Sequence, residues 1–296
     1  MLDGLLNSAA PLMLAGLGAL LSDLSGTLGI FIEGFMTIGA FFSWVFAGWV
    51  NSVFWGTVLS SFFAALIGWA LARFVRISRA NPFIAGLALN LAASGITLSL
   101  SAVWFGTKGV LQNPALKIPG PVIIPMAANI PFLGRIISGQ NPFTYAAWAC
   151  AIISAVMLKR TVPGLRLRAS GLSGDAASER GIRPGLYLEG AWTLAAFLAA
   201  LAGAALTFRV GAYAPGGIAG RGWIALAVVF LGFRKVWGVV LAALIFSFAE
   251  RLGLVIQGLG FQGIGALSAT ALLGLPSALA LLFYIFSVFF KKGKPQ

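Results

Sequence analysis

Histidine is absent from all 296 residues, and cysteine occurs once, at Cys150. Without histidine the chain lacks the side chain that most often acts as a general base and most often ligates zinc. A lone cysteine inside an apolar run excludes a disulfide framework and a reactive thiol pair. Charge is scarce as well: 9% of residues are charged, and 7 acidic residues face 20 basic ones. There is no GxxxxGK[ST] to cradle a nucleotide, no HExxH and no CxxC. No catalytic residue, metal ligand or bound cofactor is therefore expected, and any nucleotide chemistry has to be supplied by another subunit.

What the chain has in excess is oil. Hydrophobic residues make up 59% of it and the mean hydropathy is +0.97, values outside soluble globular usage. The net charge of +13 does not point to nucleic acid, because Lys and Arg fall in short clusters between apolar runs, where they orient membrane segments. The expected fold class is all-α, a polytopic transmembrane helix bundle forming a single domain over residues 1–296. Asp3 and the lack of a basic n-region make residues 1–22 a retained first span and not a cleaved signal.

A membrane helix needs roughly 20 apolar residues, and that ruler predicts about nine segments (eight to ten). They cover residues 5–22, 28–49, 52–72, 82–104, 143–158, 187–208, 221–234, 237–257 and 264–290. Between Arg221 and Arg234 only about a dozen apolar residues remain, half a bilayer at roughly 1.5 Å each. That piece is expected to be a short or half-membrane helix. Arg73, Arg76 and Arg79, the basic residues of 159–185, Arg234, Lys235 and the terminal lysines are assigned to the cytoplasm. Lys108, Lys117, Arg135, Arg209 and Arg221 fall outside. The carboxyl terminus is expected inside and the amino terminus outside. Residues 106–141 carry five prolines, with Pro142 next, and read as an external loop.

Residues 164–182 form the one long polar stretch. Within it Ser173 can cap a short helix, Asp175 suits the positive first turn, Arg180 the negative last turn, and Gly181 a left-handed stop. Pro184 forbids continuation. Such a helix offers a handle for another protein, although its positive charge alone could serve only to fix topology.

Polar groups inside the membrane need reasons. Asn90, Ser94, Thr97 and Ser101 share one helical face, suited to lining a hydrophilic pathway or to helix–helix hydrogen bonding. Glu33, with Thr37 one turn on, lies among Gly26, Gly29 and Gly34, which permit close backbone approach. Glu250 and Arg251 are expected to serve a structural ion pair, either with each other or between helices.

Four ordered motifs then carry a resemblance: SGTLGIFIEG at 25–34, NPFIAGLALNLAASGIT at 81–97, GLRLRASGLSGDAASERGI at 164–182 and AYAPGGIAGRGWIALA at 212–227. Together they resemble the permease subunits of ATP-binding-cassette importers, in the simple-sugar and nucleoside branch served by basic-membrane-protein lipoproteins. The resemblance implies an inner-membrane permease that is not an enzyme and pairs with a second, related permease as a heterodimer. It also implies a cytosolic ATPase that holds ATP and magnesium, and an extracytoplasmic solute-binding lipoprotein. By the same resemblance 159–185 is a coupling loop, with Gly164, Arg166, Arg168, Gly171, Asp175, Ala176, Ala177 and Gly181 meeting the ATPase. Glu33, Thr37, Asn90, Ser94, Thr97 and Phe31 would line the solute path. Gly29, Ile30 and Phe31 stand where an Asn-Ile-Gly run is common, and Leu172, Ser173 and Gly174 replace a Glu-Asn-Pro opening. Phe31 could stack on a base or a flat, flavin-like ring. The rivals are an ion-coupled secondary transporter, disfavoured by the few intramembrane carboxylates, and a non-transporting subunit of a membrane complex.

Overall fold

The computed structural model describes residues 2–114, 116–122, 138–218 and 220–258. Ten helices follow in order: α1 (Leu2–Leu24), α2 (Ile32–Val50), α3 (Val53–Ser78), α4 (Pro82–Phe105), α5 (Pro142–Arg160), α6 (Val162–Leu172), α7 (Gly174–Glu179), α8 (Pro184–Val210), α9 (Arg221–Leu231) and α10 (Val236–Gly258). Among the described residues, six helices, α1 to α5 and α8, are long and apolar enough to cross a membrane. Of the nine expected segments, eight meet a described helix: these six, the half-length α9, and α10. The segment expected at 264–290 lies outside the described residues.

Local chemistry sets the helix ends. Asn81 and Asn141 each precede Pro-Phe, and each side chain accepts a hydrogen bond from the phenylalanine amide, at 2.9 and 3.2 Å. Proline at N1 has no amide proton to lose there, and the asparagine caps satisfy one orphan donor, worth about 1 kcal/mol each. Thr161 and Ser173 cap α6 and α7 in the same way. Gly106 and Gly211 end α4 and α8 in the left-handed region, which glycine adopts without cost. The short helix expected inside 164–182 is α7. Gly181 has φ +75° as anticipated, Arg180 lies one residue past the last turn, and Pro184 opens α8 instead of merely stopping α7. The first half of that polar stretch forms a separate helix, α6, broken from α7 at the extended Ser173.

The hub is α8. Its alanine-rich sequence lets α1, α2 and α3 approach its backbone closely, as packing between membrane helices requires. A Cβ on Gly203 would overlap the backbone of Met36 and Ala40, one on Gly39 the backbone of Ala200, and one on Gly68 the side chain of Ala196. Trp192 is fully buried at the base of this hub and donates to Thr27 Oγ1 at 2.7 Å. By contrast α4 touches the bundle along one face, presented mainly to α2.

Candidate functional site

One end of the bundle gathers the basic segments: the C-terminal ends of α1, α3 and α5, all of α6 and α7, the start of α8, and the turn between α9 and α10. Two ion pairs knit it. Arg76 Nε meets Glu189 Oε1 at 2.6 Å, joining α3 to α8. Arg234 grips Asp23 with two bonds of 2.6 Å, Nε to Oδ2 and Nη2 to Oδ1. That hydrogen bond raises the Arg234 pKa further above its ordinary value, partly offset by desolvation. Two successive residues in this turn, Phe233 and Arg234, hold φ of 53° and 56°, a left-handed pair that non-glycine residues seldom adopt.

From this end the chain climbs back into the bundle before α2 begins, so Glu33 is displaced inward. The second tie fixing its depth is Asn90, eight residues along α4 and about 12 Å from that helix's start. Asn90 uses both ends of its amide: Nδ2 donates to Ile30 O at 2.8 Å, and Oδ1 accepts from Gly34 N at 2.7 Å. The backbone on either side of Glu33 is therefore clamped by one side chain of a neighbouring helix. Gly34 is what allows it, because a Cβ there would sit 2.8 Å from Asn90 Oδ1.

Above this clamp sits the open end of the half helix. After α8 the chain turns back through Ala212–Pro215 and three left-handed glycines, Gly211, Gly216 and Gly220, and α9 then runs for 11 residues, about 16 Å. Gly220 N donates to Glu33 Oε1 at 3.0 Å, so a carboxylate covers the positive N-terminus of α9 at mid-depth. Glu33 Oε2 is buried and accepts no hydrogen bond among the described residues. A Cβ on Gly222 would overlap the Glu33 backbone, so the contact is as tight as a helix pair allows. Arg221 extends from the same turn to Glu250 on α10, with Nη2 and Oε1 2.7 Å apart. Arg221 was expected outside. It lies instead at the level of Glu33, because α9 starts halfway along the bundle. Glu250 does pair between helices, and its neighbour Arg251 donates to Ser8 on α1 at 3.0 Å.

The remaining residues of the expected solute path divide by environment. Thr37 is buried and donates to the Glu33 carbonyl at 2.9 Å. Ser94 is exposed and bonds the Asn90 carbonyl at 3.1 Å. Thr97 is buried and donates to the Ala93 carbonyl of its own helix at 2.8 Å. Burial pushes the Tyr213 phenol above its ordinary range, partly offset by the Thr97 hydroxyl. Phe31 is fully buried, its ring 4.4 Å from Trp192 and 5.6 Å from Phe35 between centroids. It faces protein here. Ser101, on the same stripe, bonds the Thr107 carbonyl at 2.9 Å and closes the end of α4.

Of the expected coupling residues, Gly164 and Ala177 are buried at the α5–α6 and α7–α8 junctions, and Asp175 and Ala176 are exposed on α7. Arg166 reaches the Tyr187 hydroxyl at 3.5 Å. Gly171 packs backbone to backbone on the turn after α1, where a Cβ would lie 2.8 Å from Gly26 N. Arg168 points into the same junction, its Nε buried without a hydrogen-bond acceptor among the described residues. Sequence reasoning missed Asp23, Glu189 and Thr27 as partners in this junction. The signal that could have flagged the two acids is their rarity: with only seven carboxylates in the chain, each one within the bundle needs a mate.

A bundle of apolar spans enclosing a half-length helix, with a basic, capped helical protrusion at one end and no catalytic cluster among the described residues, defines a multi-pass membrane protein of the permease class. The family described as branched-chain amino acid transport system / permease component matches residues 1–290, and the chain belongs to it. It is a permease subunit of an ATP-binding-cassette transport system, a transport component and not an enzyme. It is similar to the nucleoside ABC transporter permease protein NupC of Lactococcus lactis subsp. cremoris, 31% identical over 83% of this chain and 80% of that one. Similar too is the guanosine ABC transporter permease protein NupQ of Bacillus subtilis, 32% identical over 83% and 79%. A putative glucose ABC transporter permease protein of Haloferax volcanii, TsgC13, is 27% identical over 88% and 78%. No solved structure matches the chain.

Proposed function

We propose that this subunit imports a nucleoside, or failing that a simple sugar or a flavin-like ring compound, across the bacterial inner membrane. The solute path runs along the seam of α2, α4 and the start of α9. Glu33, Thr37, Asn90, Ser94 and Thr97 border it, and Phe31 supports it from below. The observation that carries this reading is the meeting of a helix N-terminus with Glu33 at half depth, next to the Asn90 clamp. Irregular backbone at that depth is tolerated where it borders a polar cavity. The two relatives above 30% identity, named for nucleoside and guanosine transport, support the solute class.

The basic end faces the cytoplasm on this reading, with the amino terminus outside, as the positive-inside rule requires. There α7 seats in a cytosolic ATPase that binds ATP and magnesium, and Gly164, Arg166, Arg168, Gly171, Asp175, Ala176, Ala177 and Gly181 form or support the contact. A second permease completes the pathway as a heterodimer, and an extracytoplasmic lipoprotein delivers solute. ATP binding biases two conformations of the permease pair through their different contacts with the ATPase. Ion coupling is disfavoured because Asp23, Glu33, Glu189 and Glu250 each hold a specific partner.

The test is to reconstitute the complete assembly with its binding protein and measure nucleotide hydrolysis and uptake against a panel of nucleosides, flavins and sugars. Stimulation by nucleosides is the expected result. Accumulation of solute by the permease pair in vesicles without the ATPase would overturn the reading.

A further inference from the structure

At the basic end, a cavity of about 370 Å³ opens where three separate segments meet: the turn after α1, the last turns of α6, and the turn between α9 and α10. Asp23, Gly26, Leu28, Arg168, Leu172 and Arg234 line it. Its charges do not balance. The Asp23 carboxylate is spent, since both oxygens bind Arg234. That bidentate grip uses the Nε and Nη2 edge of Arg234, and among the described residues its Nη1 makes no further bond on a side chain 58% exposed. Among the described residues Arg168 has no carboxylate partner, and its Nε is buried with nothing to accept its proton. A guanidinium donor shut away from water without an acceptor is costly. The cavity is therefore built for an anion it does not itself contain.

Among the described residues no second carboxylate lines the cavity. Residues 123–137 and 259–296 contain no aspartate or glutamate. Glu33, Glu189 and Glu250 are held by their own partners, and Asp175 and Glu179 stand exposed on α7 outside the lining. The group has to come from another molecule. The rim suggests what kind: Leu172 is 89% exposed and Leu28 43%, apolar side chains beside a charged cavity at the end of the bundle where water is expected. A hydrated inorganic ion has no use for such a rim, whereas a protein surface covers it. The surrounding segments add Lys159, Arg160, Arg166, Arg180 and Arg183 against Asp175 and Glu179, so the covering surface has to be acidic.

We propose that the cavity between Arg168 and Arg234 receives a carboxylate side chain from the partner ATPase, as a second point of engagement beside α7. The proposal rests on the coupling reading of 159–185 and adds a specific contact to it. Two guanidinium edges suit a carboxylate fork in a way a lysine pair would not. Its consequence is mechanical. The walls of the cavity are the turn that leads to Glu33 and the turn that ends the half helix, so one inserted side chain couples the ATPase to both sides of the proposed solute seam.

The test uses the assembled complex. Arg168→Lys puts an amine where a water-soluble carbodiimide can join it to a carboxylate, a reaction the native guanidinium does not undergo. Separately, Ser178→Cys with Cys150→Ala, treated with a thiol-to-amine cross-linker, reports whether α7 is seated on the ATPase. The expected result is a covalent permease–ATPase product from both variants, with the position-168 junction mapping to an ATPase aspartate or glutamate. In the absence of reagent, Arg168→Gln is expected to weaken ATPase retention about thirtyfold, the lower end for removing one member of a buried charged contact. Cross-linking at position 178 without an ATPase junction at 168, or with a junction only to Asp23 of the same chain, overturns the proposal and leaves the coupling reading standing. Loss of both products overturns the coupling reading, and the proposal with it.

Discussion

Two helices of this bundle, α4 and α8, are nearly alike as strings of residues and opposite in circumstance. Both are apolar, 24 and 27 residues long, begin with proline at N1 and end at a left-handed glycine. Yet 78% of the most apolar stretch of α8 is buried inside the protein and 17% of that of α4. Apolarity therefore says only that a helix belongs in a membrane. What separates them is the size and placement of small residues: α8 carries alanine and glycine on every side and lets three neighbours reach its backbone, whereas α4 presents Leu87, Leu91, Ile96 and Val103 outward. Without a hydrophobic driving force between helices in lipid, close packing and hydrogen bonds decide which helix becomes a hub.

The comparison can be broken most directly by overfilling each helix. Gly203→Leu in α8 is expected to abolish accumulation of folded protein, since its side chain would have to displace the Met36 backbone, and overpacking of a tight core costs about 1–3 kcal/mol or more. Gly95→Leu in α4, where nothing lies within 4 Å, is expected to change stability by less than about 0.5 kcal/mol. Thermal unfolding in detergent distinguishes the two, and equal losses would mean that α4 is packed as tightly as the hub. A smaller effect is expected at the tie between α4 and the rest. Asn90→Leu removes both bonds to the Glu33 segment and should cost about 2 kcal/mol, with uptake falling about thirtyfold on that conversion. Unchanged uptake would remove Asn90 from the solute seam. Smallest of all, Ser94→Ala deletes a hydroxyl that bonds its own helix backbone. Stability should not move, because such bonds add little to a helix, and a change in the apparent Km for solute would show that this exposed face meets the cargo.

How much of this was legible in the sequence follows from the range of each signal. Caps and stops are local, so Ser173 and Gly181 mark helix ends that the structure reproduces to within a residue or two. The half helix was legible because Arg221 and Arg234 bracket an apolar run too short to cross. Its height was not, because positive charge was counted by loop and not by partner, and Arg221 pairs with Glu250 partway along the bundle. Asp23 and Arg234, 211 residues apart, carry no local pattern that would join them. The candidate site behaves alike: Glu33 and Asn90 stood out as polar residues in oil, but only the fold shows that the amide of Asn90 is fully engaged and that one oxygen of Glu33 is already committed to α9.

The backbone contact of Gly171 on Gly26 bears on stiffness. Side chains between two elements act as springs, changing rotamer to absorb a displacement before passing it on. Here there are none, and peptide rests on peptide. A shift of α6 too small to matter across an ordinary helix pair must reach the turn below α2 almost undiminished, which makes this junction the least compliant path from the surface of the bundle to its interior.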